Sequence, residues 1–295
     1  MSTPNPLVIF SSGQRTGSTL LQRFLLSNPR IMIWGEHDGV LSDIYRRFDR
    51  LYEWESMFGH QLETFMDYGY NTFIPNMVPP PDVIANSQRA MLEVLYKQTA
   101  QQMGRDIWGF KEVLYDANMA VRLRELFPGM RVLYITRHPF DCFVSLLHEE
   151  RLKPHEVNIP IQETWMRPKT VKWLQYWTKI NESFLNHPAI NDDWVLRLTY
   201  ETLTGDMYTT TAHIAKWLGL PLSDFDRDVF QHRRFTDRDN PHRGNGHQPE
   251  QEERRHITWD DLSAEEYLLI TQPDLRRTAE RLGYAMPDLL FQQEQ

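Results

Sequence analysis

The stretch Val8–Leu21, VIFSSGQRTGSTLL, decides how the rest of the chain is read. A short apolar run ends in a polar turn with two glycines, and hydroxyl residues then open an amphipathic segment. That order describes a buried strand, a tight turn and a helix, because glycine reaches backbone angles that other residues avoid. A helix N-terminus leaves its first N–H groups unpaired and carries the positive end of the helix dipole. Ser18 and Thr19 add hydroxyl donors and Arg15 adds a planar charged fork. Gly13, Gln14, Arg15, Thr16, Gly17, Ser18 and Thr19 together therefore suit a terminal phosphate. The competing description is an ordinary strand-to-helix turn in which Ser18 and Thr19 cap the helix. The P-loop of nucleotide hydrolases does not fit. That motif needs four residues between its glycines and then a lysine, whereas Gly13 and Gly17 enclose three and Ser18 takes the lysine position.

Outward from this stretch, Leu7–Phe10, Ile31–Trp34, Ile107–Phe110, Val132–Thr136 and Trp194–Leu198 are too short for helices and rich in β-branched or aromatic residues, so they read as buried strands. Helical patterns lie between them at Gly17–Leu26, Val40–Met66 with a break near Gly59, Asp82–Met103, Ala117–Phe127, Thr170–Asn186 and Met207–Leu218. Strands alternating with helices imply an α/β fold with a parallel sheet covered on both faces, whose ligands sit at the carboxyl ends of the strands. The proline-rich Asn71–Pro81 reads as a connector. The polar, glycine-bearing Thr236–Glu253 reads as a long mobile loop.

Composition sets outer limits. With 295 residues, 41% of them apolar and 24% charged, the chain suits one large globular domain. A single cysteine excludes an internal disulfide framework and fits a reducing compartment. No apolar run is long enough to span a membrane, and the N-terminus lacks a basic region ahead of its apolar run, so a soluble cytoplasmic protein is expected. A net charge of −8 argues against a broad basic surface for nucleic acid while leaving room for a locally basic pocket. The 11 histidines form no metal-ligand pattern.

The second informative block is Val132–Ser145, VLYITRHPFDCFVS. Arg137 comes directly off a strand, Pro139 can open the next helix, and Ser145 lies two turns along it. A guanidinium and a hydroxyl converging there suit a second phosphate, and an Arg137–Asp141 ion pair is the alternative.

These two blocks together resemble the sulfotransferase superfamily that uses 3′-phosphoadenosine 5′-phosphosulfate. The resemblance lies in Arg-Thr-Gly-Ser-Thr-Leu after the first strand and in Arg-His-Pro-Phe-Asp with Ser145 following Arg137. It implies a three-layer α/β fold of P-loop-like type, with a central parallel sheet flanked by helices. It assigns Arg15, Thr16, Gly17, Ser18 and Thr19 to the 5′-phosphosulfate, and Arg137 and Ser145 to the 3′-phosphate. The first loop, with arginine, is more similar to the tyrosylprotein and carbohydrate branches than to the cytosolic branch, which has lysine.

Further roles follow from the same resemblance. Glu36, after the second strand, corresponds to the proposed general base of the tyrosylprotein and trehalose-type branches, and helix capping by Glu36 is the alternative. His37 and Glu112 are rival bases. Lys111 corresponds to a lysine near the leaving phosphosulfate, where it would neutralise developing charge, unless it serves a structural ion pair with a carboxylate. Tyr200, in a Tyr-Glu-x-Leu segment, is expected near the adenine, and Arg243 and Gly244 resemble a late phosphate-contacting loop.

The resemblance implies a donor of this type, no metal, and in-line sulfuryl transfer to a hydroxyl or amine of a small-molecule acceptor, with peptide tyrosine as the second choice. Residues 1–295 then form a single domain, with 38–106 a helical insertion lining the acceptor pocket and 236–253 a cofactor-covering loop. The segment His155–Lys169 would line the same pocket, as would the aromatic-rich Tyr45–Phe73 unless it is helix packing. No nucleic-acid or membrane partner is expected, and a monomer and a homodimer stay equally open. A nucleotide kinase and a non-catalytic bisphosphonucleotide-binding module are the readings from other classes. The module would not need Glu36 and Lys111 in the pocket, so their shared direction separates it from an enzyme.

Overall fold

The computed structural model describes residues 5–151, 168–230, 258–259, 262 and 264–287. In chain order the elements begin with β1 (Leu7–Ser11), α1 (Ser18–Leu26), β2 (Ile31–Trp34), α2 (Val40–Phe58) and α3 (His60–Tyr68). Next come α4 (Pro81–Leu92), α5 (Thr99–Gln102), β3 (Ile107–Glu112), α6 (Ala117–Leu126), β4 (Arg131–Thr136) and α7 (Pro139–Arg151). The series ends with α8 (Pro168–Asn186), β5 (Val195–Thr199), α9 (Tyr200–Gly205), α10 (Met207–Leu218), α11 (Ala264–Ile270) and α12 (Pro273–Arg281).

The strands form one sheet in the order β2-β3-β1-β4-β5, parallel throughout. The strand with the phosphate-type turn is therefore central, and the chain reverses its direction of travel across the sheet on either side of it, which is where such sheets open a crevice. Register aligns the functional ends. Ile9 and Phe10 lie opposite Lys111 and Glu112, Ser11 lies opposite Ile135, and Thr136 lies opposite Thr199.

Alternation along β1 sends successive side chains to opposite layers. Val8 and Phe10 face a core with Trp108, Phe110, Tyr115, Tyr134 and Phe184 under α2, α6 and α8. Leu7 and Ile9 face the other core, with Leu21, Phe24, Leu133, Ile135 and Ile214 under α1 and α10. A third cluster joins α7, α8, α11 and α12 through Phe143, Trp173, Trp177, Ile270 and Leu275.

The structure refines several sequence boundaries. The expected break at Gly59 separates α2 from α3. The helix expected over Asp82–Met103 runs from Pro81, which fits the first helical turn, and widens to π-type hydrogen bonding over Glu93–Gln98. The Tyr45–Phe73 stretch is packed only in part: Tyr45 is buried, but Tyr68, Tyr70 and Phe73 are exposed. Loop 236–253, including Arg243 and Gly244, lies outside the described residues, as does 155–167.

Phe10 makes edge contacts with Tyr115 and Phe184 at ring separations of 5.5 and 6.4 Å and is fully buried. Phe10→Ala should lower unfolding stability by about 3–5 kcal/mol. Urea denaturation measures this, and a loss below about 1 kcal/mol would show that the site collapses around the cavity.

Candidate functional site

The turn after β1 is held by its own hydroxyls. Ser11 Oγ donates to the Gly13 carbonyl at 2.9 Å, and Thr16 Oγ1 donates to the same oxygen at 3.3 Å. Three residues have positive φ: Gly13 at 112°, Arg15 at 68° and Gly17 at 89°. A side chain in the left-handed region costs about 1–3 kcal/mol, so Arg15 needs outside support. Its carbonyl accepts from Arg137 Nη1 at 3.1 Å and faces the Cys142 thiol at 3.7 Å. Burial raises the Cys142 thiol well above its ordinary value, so it stays protonated and able to donate. From α8, Trp173 Nε1 donates to the Gln14 carbonyl at 3.2 Å.

These contacts occupy the loop's carbonyls and leave its amides. The backbone N–H groups of Gly13, Gln14, Thr16, Gly17, Ser18 and Thr19 have no hydrogen-bond partner among the described residues. No side chain caps α1. The capping alternative for Ser18 and Thr19 therefore does not hold, and the turn is a concave run of donors at a helix N-terminus, suited to an anion.

Arg137 leaves the end of β4 and lies flat on Tyr200, with its guanidinium carbon 4.1 Å from the ring centre. Its Nε is buried without a partner, and it forms no ion pair with Asp141. Trp177 Nε1 donates to the Arg137 carbonyl at 3.2 Å. Ser145 accepts from Arg15 Nε at 2.9 Å. The turn around Arg15 thus brings that side chain over α7, and the hydrogen bond of Ser145 is to the first arginine. The result still joins both arginines and Ser145 in one cluster.

On the other side of β1, the Lys111 ammonium pairs with the Glu36 carboxylate and donates to Thr19 Oγ1 at 3.1 Å. Lys111 is 5% exposed in its side chain and Glu36 is 38% exposed. Glu36 does not cap α2, whose N-cap is Gly39 without a side-chain bond. Glu36 and Lys111 instead share a direction, toward the first turn of α1.

Glu112 is buried, and its carboxylate accepts from the backbone N–H groups of His37 (3.2 Å), Gly39 (3.0 Å) and Val113 (2.7 Å). It anchors the segment that carries Glu36. The His37 ring packs against Tyr96 and Phe110, and its Nδ1 is buried without a partner.

Sequence reading missed two contributors. Trp173 shapes the loop from a helix far along the chain, and nothing local to it signals that. Glu201, part of the Tyr-Glu segment already noted, accepts the His138 N–H at 2.9 Å and so braces the residue after Arg137. Among the described residues no group of three metal-ligating side chains occurs, and no helix is long and apolar enough to cross a membrane.

A Cβ on Gly17 would fall 2.4 Å from the Tyr200 ring, in addition to the strain of its positive φ. Gly17→Ala should destabilise the protein by about 1–3 kcal/mol, measured as a lower denaturation midpoint. Tyr200→Ala in that background should recover part of the loss. Strictly additive effects would show that the two residues do not press on one another.

The comparisons with known proteins agree with this fold. No curated protein matches the chain in sequence. The sulfotransferase domain of the Synechococcus PCC 7002 olefin synthase is similar in fold at 18% identity and a TM-score of 0.51, covering 97% of this chain and 98% of that one. The sulfotransferase domain from the curacin biosynthetic pathway is similar at 16% identity and a TM-score of 0.51, covering 96% of this chain and 99% of that one. A family model described as the sulfotransferase family matches residues 6–224, from the first strand past the Arg137 and Tyr200 segments, and this chain belongs to that family.

Proposed function

We propose that this sulfotransferase takes 3′-phosphoadenosine 5′-phosphosulfate as donor and serves a hydroxyl, or an amine, of a small-molecule acceptor. One observation carries the reading. The contacts Thr19–Lys111–Glu36 tie a buried ammonium and a partly exposed carboxylate to the first turn of the anion-binding helix. A binding module would not need that pair beside the helix. The partial exposure of Glu36 also leaves its carboxylate open to an acceptor, which a purely structural ion pair does not require.

The residues fit a doubly phosphorylated nucleotide. The unpaired amides of 13–14 and 16–19, with the Arg15 guanidinium, suit one phosphate. Arg137 suits the other, since its Nε is buried without a partner. Tyr200 carries the Arg137 guanidinium on its ring and so stands beside the same phosphate, where the resemblance expects the adenine. When bound, the donor supplies the sulfuryl group and leaves as adenosine 3′,5′-bisphosphate.

The chain's own residues then divide the work. Glu36 takes the proton that the acceptor gives up, because an alcohol is a weak nucleophile until it is deprotonated. Lys111 has three donors, so it can keep Thr19 and still face an anion held by the loop. Preorganised charge of this kind stabilises a departing phosphate without rearrangement during the reaction. Glu112 is a poorer base than Glu36, since both of its oxygens already accept backbone N–H groups. The exposed Met66, Tyr68, Tyr70 and Phe73 lie in the insertion that follows Glu36, which favours an amphiphilic acceptor.

Calorimetry with adenosine 3′,5′-bisphosphate tests the donor. Arg137→Ala should weaken binding at least about tenfold, and indifference to that change would count against the reading. Glu36→Gln should bind the bisphosphate about as well as the wild type while turnover with a screened acceptor falls about 100-fold or more. A Glu36→Gln enzyme that retained its activity would move the base to His37 or Glu112.

A further inference from the structure

The C-terminal segment lies beyond the residues that the family model matches, yet it reaches the anion site. Helix α12 docks on α8 through Glu182, which accepts from Thr278 Oγ1 at 2.8 Å and from Arg281 at 2.7 Å. The helix then ends in a paired C-cap. Gly283, at φ +84°, donates to the Glu280 carbonyl at 2.9 Å, and Tyr284 donates from its backbone to Ala279 at 3.0 Å. This left-handed turn sends Tyr284 back over the end of β4.

There the Tyr284 hydroxyl bridges two groups. It donates to Glu201 Oε2 at 3.3 Å and lies 3.0 Å from Thr136 Oγ1, which is left to donate to it. The second oxygen of Glu201 holds the His138 N–H. The His138 ring is fixed as well. Its Nδ1 accepts from the Phe140 N–H at 3.2 Å, so Nε2 donates to the Ala285 carbonyl at 2.9 Å. Thr136 and His138 are the two neighbours of Arg137 in the chain, and both are held by this network. Burial raises the Tyr284 phenol above its ordinary value, which keeps the donor proton in place.

We propose that Tyr284 is a positioning residue for Arg137. Acting through Thr136 and Glu201, it fixes the direction in which Arg137 leaves β4 and so sets the preference for a nucleotide carrying a 3′-phosphate. The inference rests on the bisphosphate reading given above. It follows from geometry, because a guanidinium selects a phosphate only when its fork is aimed, and the aim of Arg137 is set by the backbone on either side of it.

The test compares adenosine 3′,5′-bisphosphate with adenosine 5′-monophosphate by calorimetry on the full chain. The wild type should prefer the bisphosphate. In Tyr284→Phe, which keeps the ring and removes the hydroxyl, that preference should fall about tenfold while affinity for the monophosphate is unchanged. Thr136→Val, which removes the other end of the bridge at nearly constant volume, should do the same. In an Arg137→Ala background, Tyr284→Phe should have no further effect on the preference. The inference is overturned if both single variants keep the wild-type preference, or lose affinity for the two nucleotides equally, as a purely structural role would have it. A wild type that binds the two nucleotides equally would overturn the bisphosphate reading, and this inference with it.

Discussion

Arg137 donates to the carbonyl of Arg15, and that single hydrogen bond sets much of the site. It supports a left-handed residue in the middle of the first loop and turns the loop's carbonyls away from the concave face. It also brings two guanidinium groups into one cluster. Arg137 has no carboxylate partner among the described residues and is supported by the Tyr200 ring. With its amides turned outward, the loop is thus already shaped for a negative charge.

Much of this was legible in the sequence. The five strands stand out because a sheet buried on both faces needs near-continuous apolar runs, and Val132–Thr136 is one. The loop was legible because glycine spacing, hydroxyls and arginine occur in one local stretch. What could not be read were pairings between distant segments. Ser145 was expected with Arg137 from helical spacing and from the resemblance. Its hydrogen bond to Arg15 was not legible, because it depends on the positive φ of Arg15. Lys111 and Glu36 were singled out separately, and their ion pair depends on β3 lying between β2 and β1. Tyr284 carries no local signal at all, since its partners lie 83 and 148 residues away in the chain.

Glu112 has a structural task that its residue type does not announce. Three backbone N–H groups converge on this carboxylate beside the site. A buried carboxylate is costly unless its lone pairs are occupied, and here they organise the 37–39 turn. Its neighbour Lys111 sits on the same strand with the opposite fate. Alternation sends the two side chains to opposite faces of the sheet, one toward α1 and the other toward the start of α2.

The central place of β1 has a wider consequence. Arg137, Tyr200 and the C-terminal brace all stand on the β4–β5 side of it, whereas Glu36, Lys111 and the long helical excursion stand on the β2–β3 side. The excursion leaves from β2 and returns to β3, and its buried face joins the core under α6 and α8. Substitutions on the exposed side chains of that excursion, such as Met66, Tyr70 and Phe73, can therefore accumulate without touching the contacts of Arg137. A scaffold of this kind can vary one flank while the other keeps its hydrogen bonds.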